Sequence, residues 1–154
     1  MCLIVTDKWN ESRVTDKDVV CYKVGMKKNG CIDAPFYEEE YCFGKNVRCQ
    51  RFEYDIPYDG SYTHPYTVDY GYHSYVEKKD AFRLREILER HQLDRMLCFK
   101  NEYKYVVLRC VIPSDTAYYE GNVETGFYAE IGTDCELPKG YVSERIRIEE
   151  IIEG

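Results

Sequence analysis

His73 stands between two tyrosines in the run Asp69-Tyr70-Gly71-Tyr72-His73-Ser74-Tyr75. An imidazole there could exchange a proton near neutral pH, or hydrogen-bond a phosphate, a base or a carbonyl. It could equally brace a corner of the chain without doing any chemistry. The rings around it belong to a longer series, because Tyr54, Tyr58, Tyr62, Tyr66 and Tyr70 recur every four residues and Tyr72 and Tyr75 follow. A four-residue interval would suit one face of a helix, but Pro57, Gly60 and Pro65 fall inside the run, and helix interiors exclude them. The segment is expected to be a turn-rich excursion. Tyrosine offers a large ring, few torsions to freeze and one hydroxyl, which favours it on recognition surfaces. Tyr66, Tyr70, Tyr72 and Tyr75 would then form a stacking wall, with Lys23, Arg48 or Arg51 supplying local positive charge. Stacking contributes roughly 1–3 kcal/mol per base, so two rings and a cation suffice for useful affinity. The competing reading places many of these rings in the core.

The other chemistry-bearing residues select no reaction. His64 lies in a Thr-His-Pro turn and reads as a solvated loop residue, and His91 reads as a helix-face residue. A structural zinc site needs four close ligands, and no Cys-x-x-Cys pair starts one; the six residues between Cys42 and Cys49 have no diagnostic spacing. No metal and no cofactor is therefore expected. Gly-x-Gly-x-x-Gly, a Walker-type loop and a Gly-x-Ser-x-Gly elbow do not occur. Eight cysteines and three histidines allow many thiol–base pairs and single out none.

The 154 residues carry a formal charge of −7, which argues against a long nucleic acid as partner, because such binding relies on clustered Lys and Arg. Net charge does not exclude a pocket for a mononucleotide or cyclic nucleotide. The apolar run Met1 to Val5 is too short for a signal peptide and no segment approaches a membrane span. A cytoplasmic protein is expected, with its cysteines mostly reduced.

These residues have to be positioned by an α+β domain covering 1–154. Its expected form is a mainly antiparallel or mixed sheet packed by one principal helix over about 76–90. Val19 to Met26 is rich in β-formers and ends before Asn29-Gly30, a strong turn signal. Phe36 to Phe43 suits a strand or a single helical turn, and Val47 to Tyr54 one strand. Gly71 to Tyr75 suits a strand that hands over to the helix, with Ser74 and Glu77 at capping-box spacing. Along that helix Ala81, Leu84, Ile87 and Leu88 make an apolar stripe, with His91 at its end, while Arg83, Arg85, Glu86, Glu89 and Arg90 occupy the remaining faces. Met96 to Lys100 and Tyr103 to Pro113 suit two strands, the second inner over Val106 to Ile112. Ser114-Asp115-Thr116 suits a turn before Ala117 to Gly121, a further strand is expected over 126–131, and Tyr141 to Ile152 closes the sheet.

Val20-Cys21-Tyr22-Lys23-Val24, Ala34-Pro35-Phe36 with Tyr41-Cys42-Phe43-Gly44-Lys45, Asp69 to Tyr75 with Asp80-Ala81, and Cys110-Val111-Ile112-Pro113 with Tyr118-Tyr119-Glu120-Gly121 carry a resemblance, which Tyr141-Val142-Ser143 and Ile146 to Ile152 extend. The pattern resembles small proteins encoded by phages and gut bacteria of the Bacteroides type. The resemblance implies an intracellular accessory protein of a mobile element and brings no reaction with it. Asp69 to Ser74 is also similar to the Asp-Phe-Gly-x-Gly-Phe-Tyr segment of ADP-ribosyltransferase-like proteins. Tyr22-Lys23 takes the first-strand place there, in lieu of that family's Arg or His-Gly, and Glu130 or Glu144 would be the late acid. The expected binding set is thus Tyr22, Lys23, Tyr66, Tyr70, Tyr72, His73 and Tyr75. The expected activity is binding, either of a nucleotide-like ligand of host defence, which it would sequester, or of a host protein; a second copy of the chain is a further admissible partner. The alternatives are an NAD-using transferase and an interaction domain without a small ligand.

Overall fold

The computed structural model describes residues 2–5, 12–34, 40–50, 52–55, 66–95, 104–124 and 137–152. In chain order its elements are β1 (Cys2–Val5), β2 (Arg13–Val14), β3 (Val19–Lys28), β4 (Cys31–Asp33), β5 (Glu40–Tyr41), β6 (Asn46–Arg48), β7 (Glu53–Asp55), β8 (Tyr66–Tyr70), β9 (Tyr72–Tyr75), α1 (Lys78–Arg95), β10 (Lys104–Ile112), β11 (Ala117–Glu124), β12 (Lys139–Ser143) and β13 (Arg145–Ile152). The strands form one sheet whose main order is β6-β13-β10-β3-β9-β12-β11-β1-β8-β7, with every strand pair antiparallel. With one helix packed on it, the chain is an α+β protein, and no described helix is long and apolar enough to cross a membrane.

The most apolar stretch is the inner strand. β10 pairs with β3 from Lys104↔Lys27 to Ile112↔Val19 and with β13 on its other side. Val106, Val107, Leu108, Cys110, Val111 and Ile112 are all buried, so both faces are covered and the strand reads as a nearly continuous apolar run. β3 turns into β4 through Asn29 and Gly30 at φ 50° and 83°, the two positive angles that a two-residue type I′ turn requires. The stripe Ala81, Leu84, Ile87 and Leu88 is buried, and α1 packs on β10, β3 and β9.

A second group of strands, β9-β12-β11-β1-β8-β7, meets the first at the pair Tyr22↔Tyr75 between β3 and β9. Only Gly71 separates β8 from β9 in sequence, yet β12, β11 and β1 lie between them in the sheet, so this half curls on itself. Leu3, Val68, Val123 and Val142 fill the curl and continue into the helix-covered core with Val24, Tyr75, Ala81, Leu84, Leu88 and Val107. A separate core on the opposite face of β3 and β10 joins Cys21, Leu108, Cys110, Ile112, Ile146 and Ile148 to Ile32 and Tyr41 of the β4–β5 ribbon.

Four expectations differ from the structure. Val47 to Tyr54 is two strands, β6 and β7, at opposite ends of the strand order. Tyr141 to Ile152 is also two, divided at Glu144, whose N–H donates to the Ala117 carbonyl at 3.0 Å. Ser74 does not cap the helix; it lies in β9 opposite Tyr141, and the helix starts after Glu77, whose carbonyl accepts the Asp80 N–H at 3.2 Å. The helix also runs on to Arg95. The two strand divisions share one cause: the breaks are set by partners far away in sequence, as the Cys49 amide bonds to the Glu144 carbonyl and the Glu144 amide to that of Ala117. The expected strands at 96–100 and 126–131, and residues 36–39, lie outside the described residues.

Gly71 turns the corner at φ 128°, a region that L side chains rarely adopt. A Cβ there would lie 2.5 Å from Val142 Cγ1 and 3.2 Å from the Ser143 carbonyl oxygen. Gly71→Ala is expected to lower stability by about 1–3 kcal/mol through strain and overpacking. Urea unfolding followed by circular dichroism reads this directly, and an unchanged midpoint would mean that the corner relaxes.

Candidate functional site

The residues singled out by sequence gather at the junction of the two strand groups, but mostly inside the protein. Tyr72 and Tyr75 are 3% and 1% exposed and His73 is 2% exposed, so none of them forms part of a solvent-facing stacking wall. Tyr22 and Tyr70 are half-buried, and the Tyr66 side chain and Arg51 lie outside the described residues. Lys23 is 6% exposed; its ammonium donates to the His73 backbone carbonyl and lies 5.7 Å from the centre of the Tyr41 ring. Tyr41 in turn meets Tyr72 at 6.4 Å between ring centres. Arg48 is ion-paired with Glu144. The tyrosines near Lys23 therefore enclose a buried charge, whereas the expectation had them stacking on a ligand.

The His73 ring holds the β8–β9 corner. Its Nε2 is 2.9 Å from the Val68 carbonyl oxygen and its Nδ1 is 3.2 Å from that of Gly71. Burial, and after it the charge of Lys23, pushes the imidazole pKa from 6.5 down to about 4, against the opposing pull of the two carbonyls. The ring is neutral at pH 7 and carries one N–H, which the shorter contact assigns to Nε2. Burial likewise pushes the Cys21 thiol up to about 11 and Cys110 well above the usual thiol range, so neither is an activated nucleophile.

A more accessible arrangement lies where β9 hands over to α1. An open groove of about 920 Å³ is lined by Val76, Glu77, the helix residues Lys78, Lys79, Asp80, Phe82, Arg83 and Glu86, and the segment Leu137-Pro138-Lys139. Lys79, Phe82, Arg83 and Glu86 follow i, i+3, i+4, i+7 spacing and so share one helix face; Phe82 lies at its border, partly buried and packed against the Ala81–Leu84–Leu88 core while lining the groove. The facing wall is pinned by three hydrogen bonds: Val123 N–H to Pro138 O at 2.8 Å, Val76 N–H to Lys139 O at 3.1 Å, and the Asn122 side-chain amide to Leu137 O at 2.9 Å. The positive end of the helix dipole adds to the charges of Lys78, Lys79, Arg83 and Lys139. Burial raises the Asp80 carboxyl pKa, against the pull of Lys79 and Arg83. Phe82 carries the Arg85 guanidinium over its ring at 4.9 Å.

Among the described residues no cluster of three or more His, Cys, Asp or Glu side chains is arranged to hold a metal ion. Of the groove residues, the sequence marks Glu77 as a capping partner and Arg83 and Glu86 as polar residues off the apolar stripe, and none as a binding residue. The signal that could have found them is Phe82, an aromatic standing off the apolar stripe among cations at helical spacing. Comparison with known proteins adds no relative: no protein family, no curated protein and no solved structure matches the chain.

The depressed His73 pKa sets a pH dependence. Folded His73 stays neutral while the unfolded chain takes up a proton below pH 6.5, so its contribution is complete above pH 6.5 and is lost as the pH falls toward 4. In chemical denaturation the stability gap between the wild type and His73→Gln should narrow by roughly 3 kcal/mol from pH 7 to pH 4, at about 1.4 kcal/mol per pH unit. A gap that stays constant with pH would show that His73 is protonated equally in both states.

Proposed function

We propose that the protein works by binding, and that its ligand is a small nucleotide-like anion held in the groove at the start of α1. The observation that carries this is the lining: four cations and a helix N-terminus, an aromatic ring in Phe82, and three carboxylates in Glu77, Asp80 and Glu86 on two opposed walls. Phosphate oxygens suit the cations and the helix dipole. A planar base suits Phe82, and amino groups on its edge suit the carboxylates. A volume near 920 Å³ falls within the range of small-molecule sites.

Binding is preferred to group transfer because the polar groups nearest the junction are committed elsewhere: the His73 N–H to the Val68 carbonyl, Lys23 to the His73 carbonyl, and Glu144 to Arg48. In the phage-type setting implied by the sequence resemblance, a protein of this kind would sequester a nucleotide signal of host defence.

Isothermal titration with mono-, di- and cyclic nucleotides and NAD tests the proposal. A stoichiometric complex with unmodified ligand is expected, and Lys79→Ala and Arg83→Ala should each weaken it roughly tenfold, about 1.4 kcal/mol, with the fold intact. Release of nicotinamide from NAD would favour the transferase instead, and affinity indifferent to both substitutions would remove the groove from consideration.

A further inference from the structure

The β4–β5 ribbon carries two exposed cysteines, Cys31 and Cys42, both held as thiols. Its register pairs Asp33 with Glu40 and Ile32 with Tyr41, and Cys31 and Cys42 are the next residue on each side of that last pair, so one further step of the same register would set them across from each other. Exposure agrees with this alternation, since Ile32 and Tyr41 are 1% and 5% exposed and face the core, while the flanking cysteines face solvent.

The kind of pair also follows. The Asn29-Gly30 turn closes on Lys28↔Cys31, which directs the Cys31 backbone N–H and C=O at β3. Toward β5 one further step of the ladder would therefore be a non-hydrogen-bonded pair, the kind in which opposed Cα atoms of a regular sheet come to about 4.5 Å and side chains are closest. That separation falls within the roughly 4.4–6.8 Å that a disulfide spans. Cys21 and Cys110 also face each other, across β3 and β10, but both are fully buried and no small molecule reaches them.

We propose that Cys31 and Cys42 are a dithiol site that becomes a disulfide across the ribbon by exchange with a small-molecule disulfide. One thiolate attacks a sulfur of the small disulfide, whose S–S bond breaks to release a first thiol and leave a mixed disulfide. The second cysteine then attacks the protein sulfur of that adduct, forming the Cys31–Cys42 bond and releasing a second thiol. The two protein thiols are oxidised, the small disulfide is reduced, and both protons leave on the two released thiols. The new bond ties Tyr41, the residue after Glu40 in β5, more firmly over the Lys23 ammonium, which lies 5.7 Å from its ring centre.

Oxidised glutathione added to the full-length protein provides the test, read by intact mass and by peptide mapping without reductant. The expected product has lost two hydrogens, retains no glutathione and links the peptides bearing Cys31 and Cys42. Its thermal midpoint is higher than that of the reduced protein and returns on treatment with dithiothreitol. Cys42→Ser and, independently, Cys31→Ser should each keep one glutathione on the remaining cysteine and form no such link. Stable glutathione adducts on both cysteines, a link from either to a different cysteine, or no reaction at either would each overturn the proposal.

Discussion

A buried ammonium at the fork between two strand groups is the constraint on which the rest of the structure depends. β3 is paired by β10 from Val19 to Lys27, but on its other side it is shared between β4 at one end and β9 at the other, with Tyr22↔Tyr75 as the β9 contact. Lys23 follows Tyr22 at the point of divergence, and its side chain reaches across to the His73 carbonyl under the Tyr41 ring. Burying a charge is costly unless it finds partners, so this arrangement holds only while β9, the β4–β5 ribbon and β3 keep their relative places. The same charge helps keep the His73 ring neutral, and the neutral ring is what ties β9 back to the Val68 carbonyl at the corner.

That seam also sets the geometry of the accessible site. β9 ends at Tyr75, and after two intervening residues α1 begins, so the direction of β9 fixes where the first helical turn lies. The facing wall hangs on the same strands: Lys139 opens β12, which pairs with β9, and the Val76 amide bonds to its carbonyl. Both walls of the groove are thus anchored to β9, and Lys78, Lys79 and Arg83 belong to a helix whose other face is locked into the core, with Phe82 packed at the border between the two. A groove built in this way is preorganised, so little ordering free energy would have to be found for a ligand to occupy it. The β4–β5 ribbon stands over the opposite core, joined to the seam through Tyr41 and Lys23, and this places the exposed cysteine pair away from the groove while leaving it coupled to the buried charge.

Much of the fold was legible without coordinates because its signals are local. The Asn29-Gly30 pair accepts positive φ, the Val106 to Ile112 run can only be an inner strand, and the Ala81–Leu84–Ile87–Leu88 spacing is that of a helix with one buried face. The groove was not legible in this way. Tyrosine is equally at home as a core ring with one hydroxyl and as a recognition residue, so the composition of the Tyr66 to Tyr75 stretch left both outcomes open. Tyr72 and Tyr75 went inward because β9 is flanked by β3 and β12 and covered on both faces, which depends on residues 50 to 70 positions away.

The sequence by itself determined the class of the protein and most of its elements: an α+β chain with one main helix, a doubly buried strand and an Asn-Gly hairpin. Each of those follows from the period and chemistry of neighbouring residues. Tertiary structure alone decided which strands divide at Cys49 and Glu144, why a lysine can be buried beside a histidine, and which face of α1 meets an open wall. Those outcomes rest on hydrogen bonds and packing between segments distant in the chain, as when the Cys49 amide bonds to Glu144 and the Lys23 ammonium to His73. No local pattern encodes such partners, because each side chain's environment exists only once the sheet has closed around it.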